Sequence, residues 1–278
     1  MSHILVVGSV NLDYSASVSR LPTAGETVTG ATLKRFPGGK GANQALAARR
    51  LGADVTLIAS VGRDSAADEA LALLREGQVE LSQCHTHPTE PTGVALISVA
   101  PSGENHIVVA PGANATLTVE ELPAADALIC QLEVPGDTIA DIAQRFEGFF
   151  CANLAPAKEV DVAVLSRADL VVVNETEAAW YGDSLRACGG FVVTTHGAGV
   201  AELRKDGEVL ATARPPVVDA ADTTGAGDTF TAALTVALVE GMSPRGALEF
   251  ACAAGACAAT KRGAQPSLPH RKDVEALL

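Results

Sequence analysis

Chemistry is densest in this 278-residue chain at Asp219-Ala-Ala-Asp222-Thr223-Thr224-Gly225-Ala226-Gly227-Asp228-Thr229-Phe230. Gly225 and Gly227 have no Cβ, so backbone N–H groups there can approach a bound anion closely. An apolar helix is expected to follow, roughly from Gly227 to Glu240. Its first N–H groups lack partners within the helix and carry a partial positive charge. Together these features make an anion site. Asp228 falls in the first helical turn, beside the anion. A carboxylate in that place suits a general base that takes a proton from an attacking hydroxyl. Aspartate also caps helices, and this stretch alone does not separate the two roles.

A second glycine-rich segment, Phe36-Pro37-Gly38-Gly39-Lys40-Gly41-Ala42-Asn43-Gln44-Ala45, runs into a helix ending near Leu51. It is not a Walker A loop, which needs Ser or Thr after Gly-Lys; here Gly41 follows Lys40. Lys40 and Asn43 sit at a helix start with polar tips available to a ligand, although a glycine-rich turn with a solvated lysine has the same composition.

These segments need a frame. His3 to Val10, Asp54 to Val61, Ala127 to Leu132, Phe149 to Asn153, Leu170 to Val173 and Phe191 to Thr195 read as strands. Helices are expected over Asp64 to Glu76, Asp137 to Phe146 and Pro244 to Thr260. The segment Val200 to Thr212, with Asp206-Gly207 in its middle, reads as a hairpin. Alternation of strand and helix predicts a mostly parallel sheet covered by helices. In such sheets ligands bind beyond the carboxyl ends of the strands. Asn11, Asp13, Lys40, Asn43, Glu133, Asn174, Glu177 and Asp228 all fall at expected strand ends or helix starts, and Gln131 precedes Glu133. They are therefore expected to converge on one edge. Segments 14–20, 26–36, 92–100 and 105–110 lack intervening long helices, and a small, mainly antiparallel sheet outside the main one is expected from them, as a lid or a dimer interface.

Composition narrows the function. The hydrophobic fraction of 47% supports a sizeable core, and aromatics at 4% leave aliphatic residues and alanine to build it. Net charge is −13 with no large Lys/Arg cluster, which argues against nucleic acid as a partner. No apolar run reaches a membrane-spanning length, and the N-terminus lacks the basic region of a signal peptide. Six cysteines without a Cys-x-x-Cys pair read as buried thiols in a reducing cytoplasm.

In these motifs the chain resembles the ribokinase-type sugar kinases of the PfkB carbohydrate-kinase family. Gly38 to Ala45 resembles the family's N-terminal signature and Asp222 to Phe230 its C-terminal one. Asn174-Glu175-Thr176-Glu177 and Lys261-Arg262-Gly263-Ala264-Gln265-Pro266-Ser267 are similar to further family segments, in the same order. The resemblance implies a three-layer α/β/α sandwich with a small β-sheet lid, all within one domain over residues 1–278. It also implies ATP-dependent phosphorylation of a small sugar, with D-ribose at its 5-hydroxyl as the first candidate and 2-deoxyribose, another small sugar or a nucleoside as alternatives. Asp228 matches the family's catalytic base, and Gly225, Ala226 and Gly227 its anion hole. Asn11, Asp13, Gly39, Lys40, Asn43 and Glu133 match sugar-binding positions. Asn174, Glu177, Thr195 and Gly197 match nucleotide-binding positions, with Glu177 near Mg²⁺ through water. Asp222, Thr224, Ala258, Lys261, Gly263 and Ser267 match a K⁺ site. A homodimer formed through the lid is implied as well. The chain departs from the family pattern between 156 and 190, where a full helix is expected to be missing and one face of the sheet thinner.

Two other classes fit these residues less well. A dinucleotide-dependent oxidoreductase would carry Gly-x-Gly-x-x-Gly after the first strand, where Gly8-Ser9-Val10-Asn11-Leu12-Asp13 stands. A sugar sensor without catalysis would not need Asp228 beside two glycines.

Overall fold

The computed structural model describes all 278 residues. In chain order it begins with β1 (His3–Val7), β2 (Asn11–Ser17), β3 (Thr32–Gly38), α1 (Lys40–Arg50) and β4 (Asp54–Gly62). Next come α2 (Ser65–Ala70), α3 (Ala72–Glu76), β5 (Cys84–His87), β6 (Gly93–Val99), β7 (Asn105–Ala110) and a 3₁₀ turn over Gly112–Thr116. The middle holds β8 (Ala127–Gln131), α4 (Gly136–Arg145), β9 (Phe149–Asn153), α5 (Val162–Arg167), β10 (Leu170–Asn174) and α6 (Glu175–Tyr181). A 3₁₀ segment, Gly182–Ala187, leads to β11 (Phe191–Thr195), β12 (Ala201–Lys205) and β13 (Glu208–Ala213). The chain ends with α7 (Ala226–Val239), α8 (Pro244–Ala259), α9 (Ala264–Ser267) and α10 (Arg271–Glu275).

Nine strands form one sheet in the order β13-β12-β11-β10-β9-β8-β1-β4-β5. From β11 to β5 all neighbours are parallel; at the other edge β12 runs against β11, and β13 against β12. Side chains of β1 alternate between the two faces. Ile4 and Val6 join a 45-residue cluster with α1, α7 and α8, while Leu5 and Val7 join a 22-residue cluster with α4 and α5. Strands buried on both sides explain the near-continuous apolar runs. The helical layers make this the expected three-layer α/β/α arrangement.

The β12–β13 hairpin turns on Asp206 (φ 52°) and Gly207 (φ 83°), the left-handed pair of a type I′ turn. The second sheet has four strands in the order β3-β2-β6-β7. It is antiparallel except for β2 beside β6. Residues 26–31 are not part of it. Gly25 (φ 80°) and Gly30 (φ 81°) turn the chain there, and β3 begins only at Thr32.

The expected helix over Asp64 to Glu76 is divided at Leu71 into α2 and α3. Between 156 and 190 the cover is indeed thin: α5 has six residues, and a six-residue 3₁₀ segment stands where a full helix would lie. Val164, Leu165 and Tyr181 nevertheless bury Val171 and Val173 of β10. No helix is long and apolar enough to cross a membrane.

Candidate active site

The site begins where β1 hands over to β2. Helix α1 starts close against this turn: a Cβ on Gly41 would lie 2.5 Å from the Gly8 carbonyl carbon. Gly39 precedes the helix at φ 89°, and a Cβ there would lie 2.8 Å from the Asn11 nitrogen and the Ser9 oxygen. Only glycine combines that backbone conformation with that approach. Lys40 and Asn43 are thereby set beside the carboxyl ends of the strands. Glu133, just beyond β8, accepts hydrogen bonds from the Ser9 hydroxyl and, at 3.2 Å, from the Lys40 N–H, so it holds the start of α1.

Asn11 and Asp13 lie on β2 and are buried. Asn114, in the 3₁₀ turn after β7, donates to Asn11 Oδ1 at 2.8 Å and accepts from the Val10 N–H at 2.9 Å. Asp13 Oδ1 and Asn43 Oδ1 are buried without a hydrogen-bond partner. Unpaired buried acceptors are rare, and a hydroxyl-rich ligand would satisfy both.

Helix α7 enters the site with Gly225 at φ 81° as its cap residue. Asp228 in its first turn is buried. Its Oδ2 accepts from Asn43 Nδ2 at 2.8 Å, and its Oδ1 accepts from Gln44 Nε2 at 2.9 Å. The Ala226 N–H is engaged by the Thr223 carbonyl at 3.1 Å, whereas the N–H groups of Gly225, Gly227 and Asp228 donate to no group of the chain. Three free donors at a helix start remain for an anion.

Charge is concentrated around Lys40. Burial disfavours its ammonium, but Asp228, Glu133, Glu177 and Asp13 surround it and together hold its pKa above the ordinary lysine value. Asp13 is pushed up to about 7, by burial first and then by Glu133 and Asp228, with Lys40 opposing. Burial also raises Asp228, against Lys40 and the amide donors of Asn43 and Gln44. A buried carboxylate that is raised yet hydrogen-bonded in its charged form is what proton abstraction near neutrality requires.

A cleft of about 210 Å³ opens at this point. Lys40, Asn174, Glu177, Thr195, Gly225, Gly227 and Asp228 are among its walls. Asn174 and Glu177 form a capping box on α6: Asn174 Oδ1 accepts from the Glu177 N–H, and Glu177 Oε2 from the Asn174 N–H, each at 2.8 Å. Burial raises Glu177, and its other oxygen stays available to a hydrated cation. Gly197 lies in the turn after β11 at φ 57°, outside the cleft walls.

Behind α7, Asp222 joins two loops. Its Oδ1 accepts from the Thr224 N–H at 2.9 Å and the Thr224 hydroxyl at 2.6 Å, and its Oδ2 accepts from the Gly263 N–H at 2.9 Å. Burial would raise its carboxyl, but these bonds and the nearby Arg262 hold it below the usual aspartate range. The carbonyls of Thr224, Lys261 and Gly263 accept no hydrogen bond from the chain. One carboxylate among unpaired carbonyls is a donor set suited to a hard cation. The Ala258 carbonyl receives the Lys261 N–H at 3.4 Å, and the Ser267 hydroxyl donates to the Ala264 carbonyl at 2.7 Å, so each has one interaction within the chain already.

Spacing and residue type alone do not single out Ser9, Gln44 or Asn114. For Asn153 the signal was present, a polar residue closing an apolar strand. Asn114 carries none, since it reaches the site only through the return of β7.

Known proteins place this geometry. The family model of pfkB family carbohydrate kinases matches residues 1–271. The chain is 35% identical to ribokinase of Bacillus subtilis (strain 168), covering 100% of both chains. It is 36% identical to ribokinase of Haemophilus influenzae, with 97% of this chain and 96% of that protein covered. A crystal structure of ribokinase from Thermotoga maritima superimposes with a TM-score of 0.89 at 31% identity, covering 100% of this chain and 99% of the other. A structure of Arabidopsis thaliana ribokinase complexed with ribose and ATP gives 0.88 at 29% identity, covering 99% and 98%. A family model over nearly the whole chain, full-length relatives at 35% and 36% identity and a shared fold agree: the chain belongs to the pfkB family of carbohydrate kinases.

Proposed function

We propose that this kinase transfers the γ-phosphoryl group of ATP to the 5-hydroxyl of D-ribose. The observation that carries the reading is the buried Asp228 carboxylate, hydrogen-bonded by Asn43 beside Lys40, at a helix start whose N–H groups at Gly225, Gly227 and Asp228 are free. The full-length relatives named ribokinase, and the Arabidopsis ribokinase complex with ribose and ATP, favour ribose over other sugars.

In this reading Asn11, Asp13, Gly39, Lys40, Asn43 and Glu133 hold the sugar. Its hydroxyls satisfy the unpaired oxygens of Asp13 and Asn43. Asp228 takes the proton of the attacking hydroxyl. The N–H groups of Gly225 and Gly227 hold the charge that develops on the transferring phosphoryl group, with Ala226 completing the turn. Asn174, Glu177, Thr195 and Gly197 face the nucleotide. Glu177 would hold Mg²⁺ through water, and Asp222 with the carbonyls of Thr224, Lys261 and Gly263, extended by Ala258 and Ser267, would hold K⁺. Mg²⁺ would neutralise phosphate charge, and K⁺ would fix the loop that carries the anion hole. Positioning and charge neutralisation supply most of the catalysis in such a transfer.

The second sheet serves as the lid, excluding water from the site as part of a single domain. Its exposed strand β7 supports a homodimer built on the same sheet. A cytoplasmic location is in keeping with six free cysteines. The test is ADP release with ATP, Mg²⁺, K⁺ and a panel of ribose, 2-deoxyribose, fructose and nucleosides. Turnover should be highest with ribose; turnover confined to another sugar would overturn the substrate assignment.

A further inference from the structure

Gln44, next to Asn43 on α1, is fully buried and is not part of the cleft wall. Its amide has three partners. Nε2 donates to Asp228 Oδ1 at 2.9 Å and to Asn153 Oδ1 at 3.0 Å, and Oε1 accepts from Gln131 Nε2 at 2.6 Å. Asn153 is itself oriented, since its Nδ2 donates to the Val172 carbonyl at 3.1 Å. A flipped Gln44 amide would set Oε1 against two acceptors and Nε2 against a donor, so the network admits one orientation. Gln131 and Asn153 are register partners at the ends of β8 and β9. Through Gln44, Asp228 is tied to the carboxyl ends of β8 and β9 and, by way of Asn153, to the middle of β10.

Positions this deep between a sheet and two helices are ordinarily aliphatic. Three buried amides in series, paired at every polar atom the Gln44 amide meets and open only at Gln131 Oε1, form a network that holds its members in place and is costly to break. The one charged group that this network reaches is Asp228.

We propose that Gln44 is a positioning residue for Asp228. It fixes the rotation of the carboxylate and occupies one lone pair of Oδ1, as Asn43 does on Oδ2. The remaining lone pairs are left to a substrate hydroxyl in the cleft that Asp228 lines. This inference rests on Asp228 acting as the base. The charged groups facing Asp228 are Lys40 of α1, Glu133 beyond β8, Asp13 of β2 and Glu177 of α6.

The test measures kcat and KM of ribose-dependent ADP release from pH 5 to 9. Gln44→Met should lower kcat by about 10- to 100-fold, the effect of one hydrogen bond to a charged group, with KM for ribose nearly unchanged. Gln44→Glu sets a second carboxyl group beside Asp228. The pair then shares a proton, so the acid limb of kcat moves to higher pH by about one unit or more and activity recovers toward pH 9. Loss of the Gln44 donor should also move the acid limb of kcat to higher pH in Gln44→Met, where no charge is introduced, and a role in packing alone would not move it there. Gln131→Met, remote from both Asp228 and the cleft, should lower kcat by about 3- to 10-fold with KM unchanged. Wild-type kcat and pH profile in both Gln44 variants would overturn the proposal. An unmoved acid limb in Gln44→Glu would do so too, as would wild-type kcat in Gln131→Met if the Gln44 variants do not fold. Asp228→Asn in the same series separates the two levels. If it stays active, the base assignment fails; if it is inactive while the Gln44 variants match wild type, only the positioning role fails.

Discussion

Asn43 Nδ2 donates to Asp228 Oδ2 at 2.8 Å, joining the first turns of two helices 185 residues apart in the chain. The two glycine-rich motifs therefore meet as one device. Helix α1 brings Lys40 and Asn43, helix α7 brings the carboxylate and the free N–H groups, and the parallel sheet sets both helix starts at the same edge.

Asp13 should make stability depend on pH. Its pKa is raised from 3.8 to about 7 in the folded protein, so the folded state holds a proton that the unfolded chain releases. Stability from this group is then lost as pH rises through that window. Asp13→Asn removes the dependence. Relative to wild type, it should gain on the order of 2 kcal/mol between pH 5 and pH 8 in the sugar-free protein, while ribose binding weakens. Thermal unfolding at the two pH values checks this; an equal offset at both would contradict it.

The Asp222 loop should respond to monovalent cations. Replacing K⁺ with a large organic cation should lower kcat, and Asp222→Ala should lower it in K⁺ as well, because Gly263 and Thr224 lose their common acceptor. Turnover unchanged in K⁺-free buffer would remove the cation from the account.

Strand β7 is an edge strand exposed along its whole length, with Ile107 and Val108 54% and 64% exposed. Edges of this kind invite pairing with a second chain. Ile107→Lys with Val108→Lys should convert a dimer to a monomer in sedimentation experiments. A wild-type protein that sediments as a monomer at all concentrations would contradict the interface.

Much of this was legible in the sequence. The apolar runs located β1, β4, β8, β9, β10 and β11 because these pack between helical layers, and polar residues close several of them; β5, Cys84-His85-Thr86-His87 at the sheet edge, carries no such run and is not legible. Asp206-Gly207 marked the hairpin because its turn demands two left-handed residues. Less was legible where long-range packing decides. Leu71 divides α2 from α3 with no proline or glycine at the break. Asn114 braces Asn11 from a turn 103 residues away, and nothing local marks it. Gln44 stood inside a recognised motif, but its role appears only when Gln131, Asn153 and Asp228 are seen around it.

The central claim is that Asp228 is the base of a ribose-phosphorylating site. The most direct measurement pairs ADP release with calorimetric ribose binding in the Asp228→Asn variant. The account predicts turnover reduced by at least about 10³-fold, with ribose affinity within roughly tenfold of wild type. Turnover close to wild type in Asp228→Asn would contradict it.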